Sequence, residues 1–322
     1  MTAAQASPEI RIGVSACLLG AEVRYDGGHK RDDFLLSSLG RHVTWVPVCP
    51  ELEFGLGVPR ESLRLVGDPE SPSLIGARSG ADHGAGMRAW ASKRVEALAD
   101  LDLDGYVLKK DSPSCGLFRV KLHDQDGGVS RKGQGIFARA LVERLPLLPV
   151  EEEGRLHDPR LRESFVERVF AHHRWRTQVA GSSRPVDLVL FHTRNKLTLM
   201  AHSPRAQREL GRIVAAPDGE GFAALRDAYA AMFMEALKTL ATPRKHANVL
   251  QHLLGFFKQH LDRDDRAEMV EVIERYRIGL VPLVVPITLV LHHARRHPVP
   301  DWFHLQTYLH PYPAELMLRN AV

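Results

Sequence analysis

The stretch GYVLKKDSPSCG, residues 105–116, joins a short apolar run to a turn that carries a cysteine. The apolar part predicts a buried strand. Serine, proline and glycine in the second part are typical turn residues, so Cys115 should follow the end of that strand. The chain has only three cysteines in 322 residues. The positions of the other two cysteines therefore indicate the function of this thiol.

Both remaining cysteines, Cys17 and Cys49, also stand at the end of an apolar run. The runs IRIGVSAC and HVTWVPVC predict two more buried strands, over 10–17 and 42–49. Strands that alternate with helices, such as the one predicted over 87–101, favour a parallel sheet with helices on both faces. The carboxyl ends of parallel strands share one edge, where ligands bind. The three cysteines should therefore lie together at that edge.

The second half of the chain changes character. A helix predicted over 163–178 closes the α/β domain, and the small residues of AGSSRP, residues 180–185, indicate a linker. Beyond it, amphipathic repeats predict a bundle of about four to six helices. We therefore expect an α/β domain over residues 1–180 followed by a mostly α-helical domain over 181–322. The helices are predicted over 188–202, 222–241, 245–261 and 265–279.

Composition is that of a soluble protein, with 44% hydrophobic and 25% charged residues. No apolar run is long enough to cross a bilayer, since the longest is broken by Pro282 and Pro286. We expect no signal peptide, no disulfide framework and a cytoplasmic location. Residues 1–180 hold 25 basic and 25 acidic residues, whereas 181–322 hold 18 and 14, so the net charge of +4 lies in the second half. That is a mild indication of a polyanionic partner.

Three thiols at one sheet edge allow several kinds of chemistry. They could be buried structural cysteines, or one nucleophile with two bystanders. A metal site is the interpretation we favour, because structural cysteines would scatter along the strands. Zinc with three protein ligands and one open position would fit. An iron–sulfur cluster with three cysteines would leave one iron without a protein ligand. The spacing of the cysteines does not choose between zinc and iron.

Four motifs resemble the thiouracil desulfidase family, TudS, and the resemblance spans nearly all of residues 10–175. It implies a [4Fe–4S] cluster held by Cys17, Cys49 and Cys115, whose free iron takes the sulfur of a thiolated pyrimidine. It also places an essential glutamate on Glu51 and an essential serine on Ser112. The motifs are GVSACLLG, RYDGGHKR, PVCPELEFGLGVPRE and KKDSPSCG.

The two implied catalytic residues have a chemical rationale. Exchange of C=S for C=O needs an oxygen nucleophile and proton transfer to the departing sulfur or to the ring. Glu51 could move that proton, and Ser112 could orient the water or relay the proton. The alternatives are that Glu51 caps a helix and that Ser112 only initiates a turn. Weaker candidates for substrate contact are Tyr25, Asp26, Arg60 and Lys109.

The helical half resembles a bacterial domain that occurs fused to this desulfidase module, in the RudS tRNA 4-thiouridine desulfidases. That resemblance implies 4-thiouridine in tRNA as the substrate. Basic residues near histidines and aromatic residues suit contact with a phosphate backbone, although any soluble bundle carries a charged outer face. The candidate RNA-binding residues are Arg194, Lys196, Arg205, Arg208, Arg212, Arg244, Lys245 and Lys258.

We therefore expect an iron–sulfur-dependent desulfidase that converts 4-thiouridine in tRNA to uridine and releases hydrosulfide. One alternative is a desulfidase of free thiouracil or another small thioamide. The other is a non-catalytic RNA sensor that carries a cluster or zinc. A carboxylate beside Cys49 and a ligand set of only three thiols favour catalysis, since a sensor would more plausibly fill all four positions.

Overall fold

The structure is a computed structural model that describes residues 9–124, 126, 128–215 and 221–322. The expectation about a signal peptide concerns the N-terminal stretch, most of which lies outside the described residues. The chain divides into two units, Met1–His157 and Asp158–Val322.

The first unit contains eight strands and three α-helices among its described residues. The strands are β1 Arg11–Ser15, β2 Thr44–Val48, β3 Leu63–Val66, β4 Ser73–Gly76, β5 Gly105–Leu108, β6 Val120–His123, β7 Val129–Gly133 and β8 Val150–Glu152. The helices are α1 Pro50–Glu53, α2 Gly84–Ala99 and α3 Ile136–Arg144.

A parallel sheet in the order β2-β1-β5-β8 forms the centre of this unit. Its first three strands are those that the sequence predicts, and all pairs run parallel. Helices α2 and α3 cover the sheet with a core that includes Val95, Tyr106 and Phe137. Because the strands are parallel, β1, β2 and β5 end at one edge, and a cysteine follows each of them. The predicted α/β class is thereby confirmed.

A second sheet, in the order β4-β3-β6-β7, was not predicted. Its β3 and β6 are parallel, whereas β4 and β7 pair antiparallel with their neighbours. Leu65, Leu74, Val120 and Leu122 pack with Met87 of α2 beneath it. The sheet places the segment between α1 and β3, which carries Arg60, beside the central sheet's edge.

The second unit is mostly helical, as predicted. Three of its helices begin with the same signal, in which the side chain of Asp158, Ser203 or Thr242 accepts hydrogen bonds from the first turn and a proline follows. The helices are α4 Pro159–Trp175, α5 Pro185–His202, α6 Pro204–Val214, α7 Phe222–Leu237, α8 Pro243–Leu254, α9 Arg263–Arg277, α10 Val284–Arg296 and α11 Asp301–His304.

The division between the units lies before α4, earlier than the predicted boundary at residue 180. The sequence predicts that this helix closes the α/β domain. Its Trp175 instead stacks on Tyr229 with ring centroids 5.6 Å apart and meets the edge of Phe191 at 5.2 Å. An apolar stripe predicts that a helix is buried on one side, but it does not identify the partner.

The apolar run before the C-terminus forms α10, which begins at Val284 and accommodates Pro286 in its first turn, where proline costs no hydrogen bond. None of the described helices combines the length and the apolar character that a membrane span requires.

Helices α4 and α5 of the second unit are joined by a buried ion pair. Glu167 Oε2 lies 2.8 Å from His202 Nε2, and both side chains are almost fully buried. The imidazole also binds the carbonyl oxygen of Thr239 through Nδ1 at 2.6 Å. Burial acts against both charges, yet the pairing holds the pKa of Glu167 down to about 2 and raises that of His202. Each group therefore depends on the other to stay charged.

We expect His202→Ala to destabilise the helical unit by about 3–5 kcal/mol, because it leaves a buried carboxylate without its main partner. The Glu167 carboxylate contributes stability above its usual pKa of 4.5 and loses it as the pH falls toward 2. The His202 contribution is complete below 6.5 and declines as the pH rises through its raised pKa. The pair should therefore stabilise most between pH 4.5 and 6.5.

Urea unfolding followed by peptide-resolved hydrogen exchange measures this effect in the intact chain. The control is Arg205→Ala, which removes an exposed pair with Glu209 and should leave the stability almost unchanged. Equal losses for both variants would contradict the prediction.

Candidate active site at the carboxyl edge of the parallel sheet

All three cysteines line one cavity of about 350 Å³ at the carboxyl edge of the parallel sheet. Cys17 lies in a single turn of 3₁₀ helix after β1, and Cys49 precedes α1 directly after β2. Cys115 lies in the loop after β5. The other residues that line the cavity are Ser15, Ala16, Val23, Arg24, Tyr25, Lys30, Val48, Pro50, Glu51, Arg60, Ser62, Leu63, Lys109, Lys110, Asp111, Ser112 and Pro113.

The three thiols are free, and burial keeps them protonated. It raises the pKa of Cys17 to about 11 and that of Cys115 well above its usual value. The pKa of the half-buried Cys49 is raised for the same reason. The neighbouring thiols add to the pKa shifts of Cys17 and Cys115. Neutral thiols exchange their protons for a metal when one binds.

The donor set of this cavity fits an iron–sulfur cluster. Three cysteines line it, and a cubane binds each thiolate to a different iron, so the thiols need to surround one cavity and not to meet at one point.

Glu51 lies at this cavity with both carboxylate oxygens engaged. Its Oε2 accepts hydrogen bonds from Arg60 Nε at 2.9 Å and Nη2 at 2.6 Å. Its Oε1 accepts from the hydroxyl of the buried Ser114 at 3.0 Å. Glu51 does not cap α1; the carboxylate that binds the amide of Cys49 belongs to Glu53, at 3.1 Å. Three donors thus hold the Glu51 carboxylate in one orientation beside the cysteines.

Ser112 also lines the cavity, and its hydroxyl oxygen organises the cysteine loop. It accepts hydrogen bonds from the amides of Ser114 at 3.2 Å and Cys115 at 3.1 Å. The turn-initiating role that the sequence allows is therefore present. The hydroxyl proton is still available to a substrate or a water. The turn needs glycine at position 116, because a Cβ there would lie 2.7 Å from the Ser112 carbonyl oxygen.

The weaker candidates occupy different surroundings. Arg60 donates to Glu51 and to the carbonyl oxygens of Gly57 and Val23, so its guanidinium positions Glu51. Lys109 lines the cavity, but its ammonium pairs with Glu153. Tyr25 lines the cavity and is half exposed.

Asp26 is not among the residues that line the cavity. It is exposed and accepts from the amide of Gly28 at 3.1 Å, which is the first cause of its lowered pKa. Its carboxylate therefore shapes the turn that carries Tyr25.

Three residues that support the cysteine loop were not predicted from the sequence. Ser15 accepts a hydrogen bond from the amide of Lys109 at 2.9 Å, which ties the start of the loop to β1. Glu152 accepts from the amides of Leu117 and Phe118. The third residue is Ser114, which donates to Glu51. The acidic run VEEE at the end of β8 is the signal that could have found Glu152, since buried carboxylates need donors nearby.

The candidate RNA-binding residues of the helical unit differ in their partners. Lys196 lies over the Trp302 ring, with its ammonium 3.5 Å from the ring centroid. Arg205 pairs with Glu209 at 2.8 Å, and Lys245 donates to the carbonyl oxygen of His202 at 2.6 Å. Arg194 is half-buried on α5. The remaining four are Arg208, Arg212, Arg244 and Lys258, and all are at least partly exposed.

Comparison with known proteins finds a family match in each half of the chain. Residues 12–153 match the family model of 2-thiouracil desulfurase, and residues 196–313 match that of a protein of unknown function, DUF1722. The chain is 33% identical over 166 residues to the uncharacterized protein YbgA of Escherichia coli (strain K12). The matched region covers 50% of this chain and 96% of YbgA. The chain is also 32% identical over 108 residues to the uncharacterized protein YbbK of Bacillus subtilis (strain 168). That matched region covers 32% of this chain and 71% of YbbK.

A solved structure described as the [4Fe–4S]-dependent thiouracil desulfidase TudS is also similar. It is 32% identical in sequence and covers 46% of this chain and 94% of its own, with a TM-score of 0.38. The family assignment rests on the sequence matches. The chain belongs to the thiouracil desulfidase family and carries a DUF1722 domain behind its desulfidase module.

Proposed function

We propose that this protein is an iron–sulfur-dependent desulfidase that converts 4-thiouridine in tRNA to uridine. Water supplies the oxygen, a C–O bond replaces the C–S bond, and sulfur leaves as hydrosulfide, so no electrons are gained or lost. The observation that carries the proposal is that three thiols, two of them buried, line one cavity with the Glu51 carboxylate, which hydrogen bonds hold in place.

Cys17, Cys49 and Cys115 would hold a [4Fe–4S] cluster, the cofactor on which the solved TudS protein depends. A cluster with three cysteine ligands supplies one iron without a protein ligand, a Lewis acid that suits a soft sulfur atom. The remaining chemistry belongs to the chain itself.

Glu51 is suited to proton transfer in this reaction. Arg60 and Ser114 fix its two oxygens, so the carboxylate does not have to reorganise when it takes a proton from water. The same proton can then pass to the departing sulfur or to a ring nitrogen. Ser112 lies at the cavity with its own hydroxyl proton free to orient that water.

The proposal that tRNA is the substrate draws on the helical unit. The net charge of +4 falls in residues 181–322. Lys196 and Trp302 form a cation–aromatic pair, and Phe256 meets the Trp302 ring edge-on with centroids 5.0 Å apart. Aromatic rings beside cations are the usual means of binding unpaired bases and the adjoining phosphates.

Desulfuration of a tRNA that contains 4-thiouridine, compared with free 4-thiouridine and thiouracil, tests this proposal. We expect Lys196→Gln with Arg244→Gln to weaken tRNA binding several-fold. The slope of log affinity against log salt should fall by about 1 for each phosphate that the variant no longer binds. Turnover of the free nucleoside should not change, because neither residue lines the cavity.

The matched control is Arg277→Gln, since that guanidinium is already paired with Glu274 at 2.5 Å. If the double variant binds tRNA as the wild type does, the helical unit contacts RNA elsewhere. If free thiouracil is turned over faster than tRNA by the wild type, the small-thioamide alternative replaces our proposal.

A further inference from the structure

Tyr106 of β5 has a hydroxyl that nothing in the described residues satisfies. Its side chain is 0% exposed, and the phenolic oxygen has no hydrogen-bond partner among those residues. An unsatisfied buried hydroxyl costs about 1–3 kcal/mol, and such groups are rare in folded proteins. A hydrogen-bond acceptor that is present only in the functional state of the protein would explain a hydroxyl at this buried position.

The ring of Tyr106 is held in place, so the hydroxyl cannot swing out to water. Gly13 is its partner in the β1–β5 ladder, and a Cβ at that position would lie 2.2 Å from a ring carbon of Tyr106. Only glycine leaves room for the ring. Phe137 packs on it with centroids 5.8 Å apart. The environment of the hydroxyl is therefore fixed by the fold.

That environment contains the cysteine site. After burial, the groups that raise the pKa of Tyr106 are Cys115, Glu53 and Cys49, in that order. Glu53 already accepts from the Cys49 amide at 3.1 Å and from Arg94 at 2.8 Å. Cys115 is 5% exposed and belongs to the same apolar core as Tyr106. Among the other described buried residues of that core, it is the one whose side chain can accept a hydrogen bond.

A neutral thiol is a weak acceptor, whereas a thiolate bound to a metal is a strong one. We propose that Tyr106 is a positioning residue whose hydroxyl donates a hydrogen bond to the sulfur of Cys115 once that sulfur binds the cluster. The assignment rests on the proposed function, because it needs the cluster to be present. It gives the orphaned phenol a partner that exists only in the loaded protein.

This role has two consequences of opposite sign. A donor to a ligating sulfur stabilises the more negative, reduced cluster, so it raises the reduction potential and slows loss of iron. In the protein without iron, the same hydroxyl is buried without a hydrogen-bond partner among the described residues and therefore lowers the stability of the fold. A merely structural tyrosine would act in the same direction in both forms.

We expect Tyr106→Phe, which removes only the hydroxyl, to shift the midpoint potential of the anaerobically loaded protein to more negative values in an EPR-monitored titration. Iron should pass to a chelator several-fold faster than from the wild type. Without iron, the variant should unfold in urea at the same concentration as the wild type or at a higher one. The control is Tyr229→Phe, a buried phenol of the helical unit that bonds His192 at 3.1 Å, which should leave the potential unchanged.

An unchanged potential and unchanged iron release in the loaded Tyr106→Phe variant would overturn this assignment alone. A lower stability of its iron-free form would do the same, because it would show an ordinary structural hydrogen bond. A wild-type protein that takes up no iron and sulfide would overturn the proposed function and this assignment with it.

Discussion

Cys115→Ala should abolish both cluster binding and desulfidase turnover. Cys115 is the most buried of the three thiols, and the loop that carries it is tied to the sheet by Ser15 and Glu152. The wild type, purified without oxygen, should contain about four irons and four inorganic sulfides per chain. A cubane that keeps only two protein ligands should be lost during purification, so the variant should be colourless and inactive.

The experiment is iron and sulfide analysis with absorbance spectra of the wild type and of the Ala and Ser variants at Cys17, Cys49 and Cys115. Ser164→Ala, a change of similar size at a buried position of the helical unit, is the control and should retain full iron. Circular dichroism checks that each variant is folded. One zinc per chain without sulfide in the wild type would contradict the cluster, and a Cys115→Ala protein with full iron would remove Cys115 from the ligand set.

The place of the cysteines could be predicted from sequence because it depends on topology alone. Apolar runs 10–17, 42–49 and 105–110 predict parallel strands, and parallel strands end at one edge. Each run ends close to a cysteine, so the meeting of the thiols required no knowledge of side-chain conformation. The second sheet was missed because polar, exposed residues interrupt its strands, as in LRLV and VSRKG, so they form no continuous apolar run.

The partners of Glu51 could not be predicted in the same way. Ser114 is 63 residues away in sequence, and it faces Glu51 only because the loop around Gly116 folds back on the sheet edge. Ser112 and Ser114 look equivalent in DSPSC, yet one accepts from the backbone and the other donates to the carboxylate. The sequence makes Arg60 a candidate for substrate contact, whereas the structure buries its guanidinium against Glu51. Such pairings depend on loop conformation.

Helix α4 illustrates a different limit. The amphipathic pattern of α4 predicts a helix with one buried side. The pattern does not identify the element on which that side packs. Contacts with Tyr229, Phe191 and His202 place it with the helical unit. Those partners lie 16 to 54 residues further along the chain, beyond the linker that the sequence predicts as the boundary.

Glu51→Gln should keep the cluster and lower the rate of desulfuration by about 10²–10⁴-fold, the range expected when a proton-transfer group is removed. Glutamine has the size of glutamate, and its carbonyl oxygen can accept from Arg60 while its amide donates to the Ser114 hydroxyl, so the cavity should retain its shape. It cannot take a proton from water. Single-turnover assays on 4-thiouridine, with iron content measured in the same samples, separate loss of chemistry from loss of the cluster.

The matched control is Glu96→Gln on α2, which removes an exposed pair with Arg144 and should leave the rate unchanged. A Glu51→Gln protein with full iron and a near wild-type rate would show that the proton moves by another route, and Ser112 would then be the residue to test.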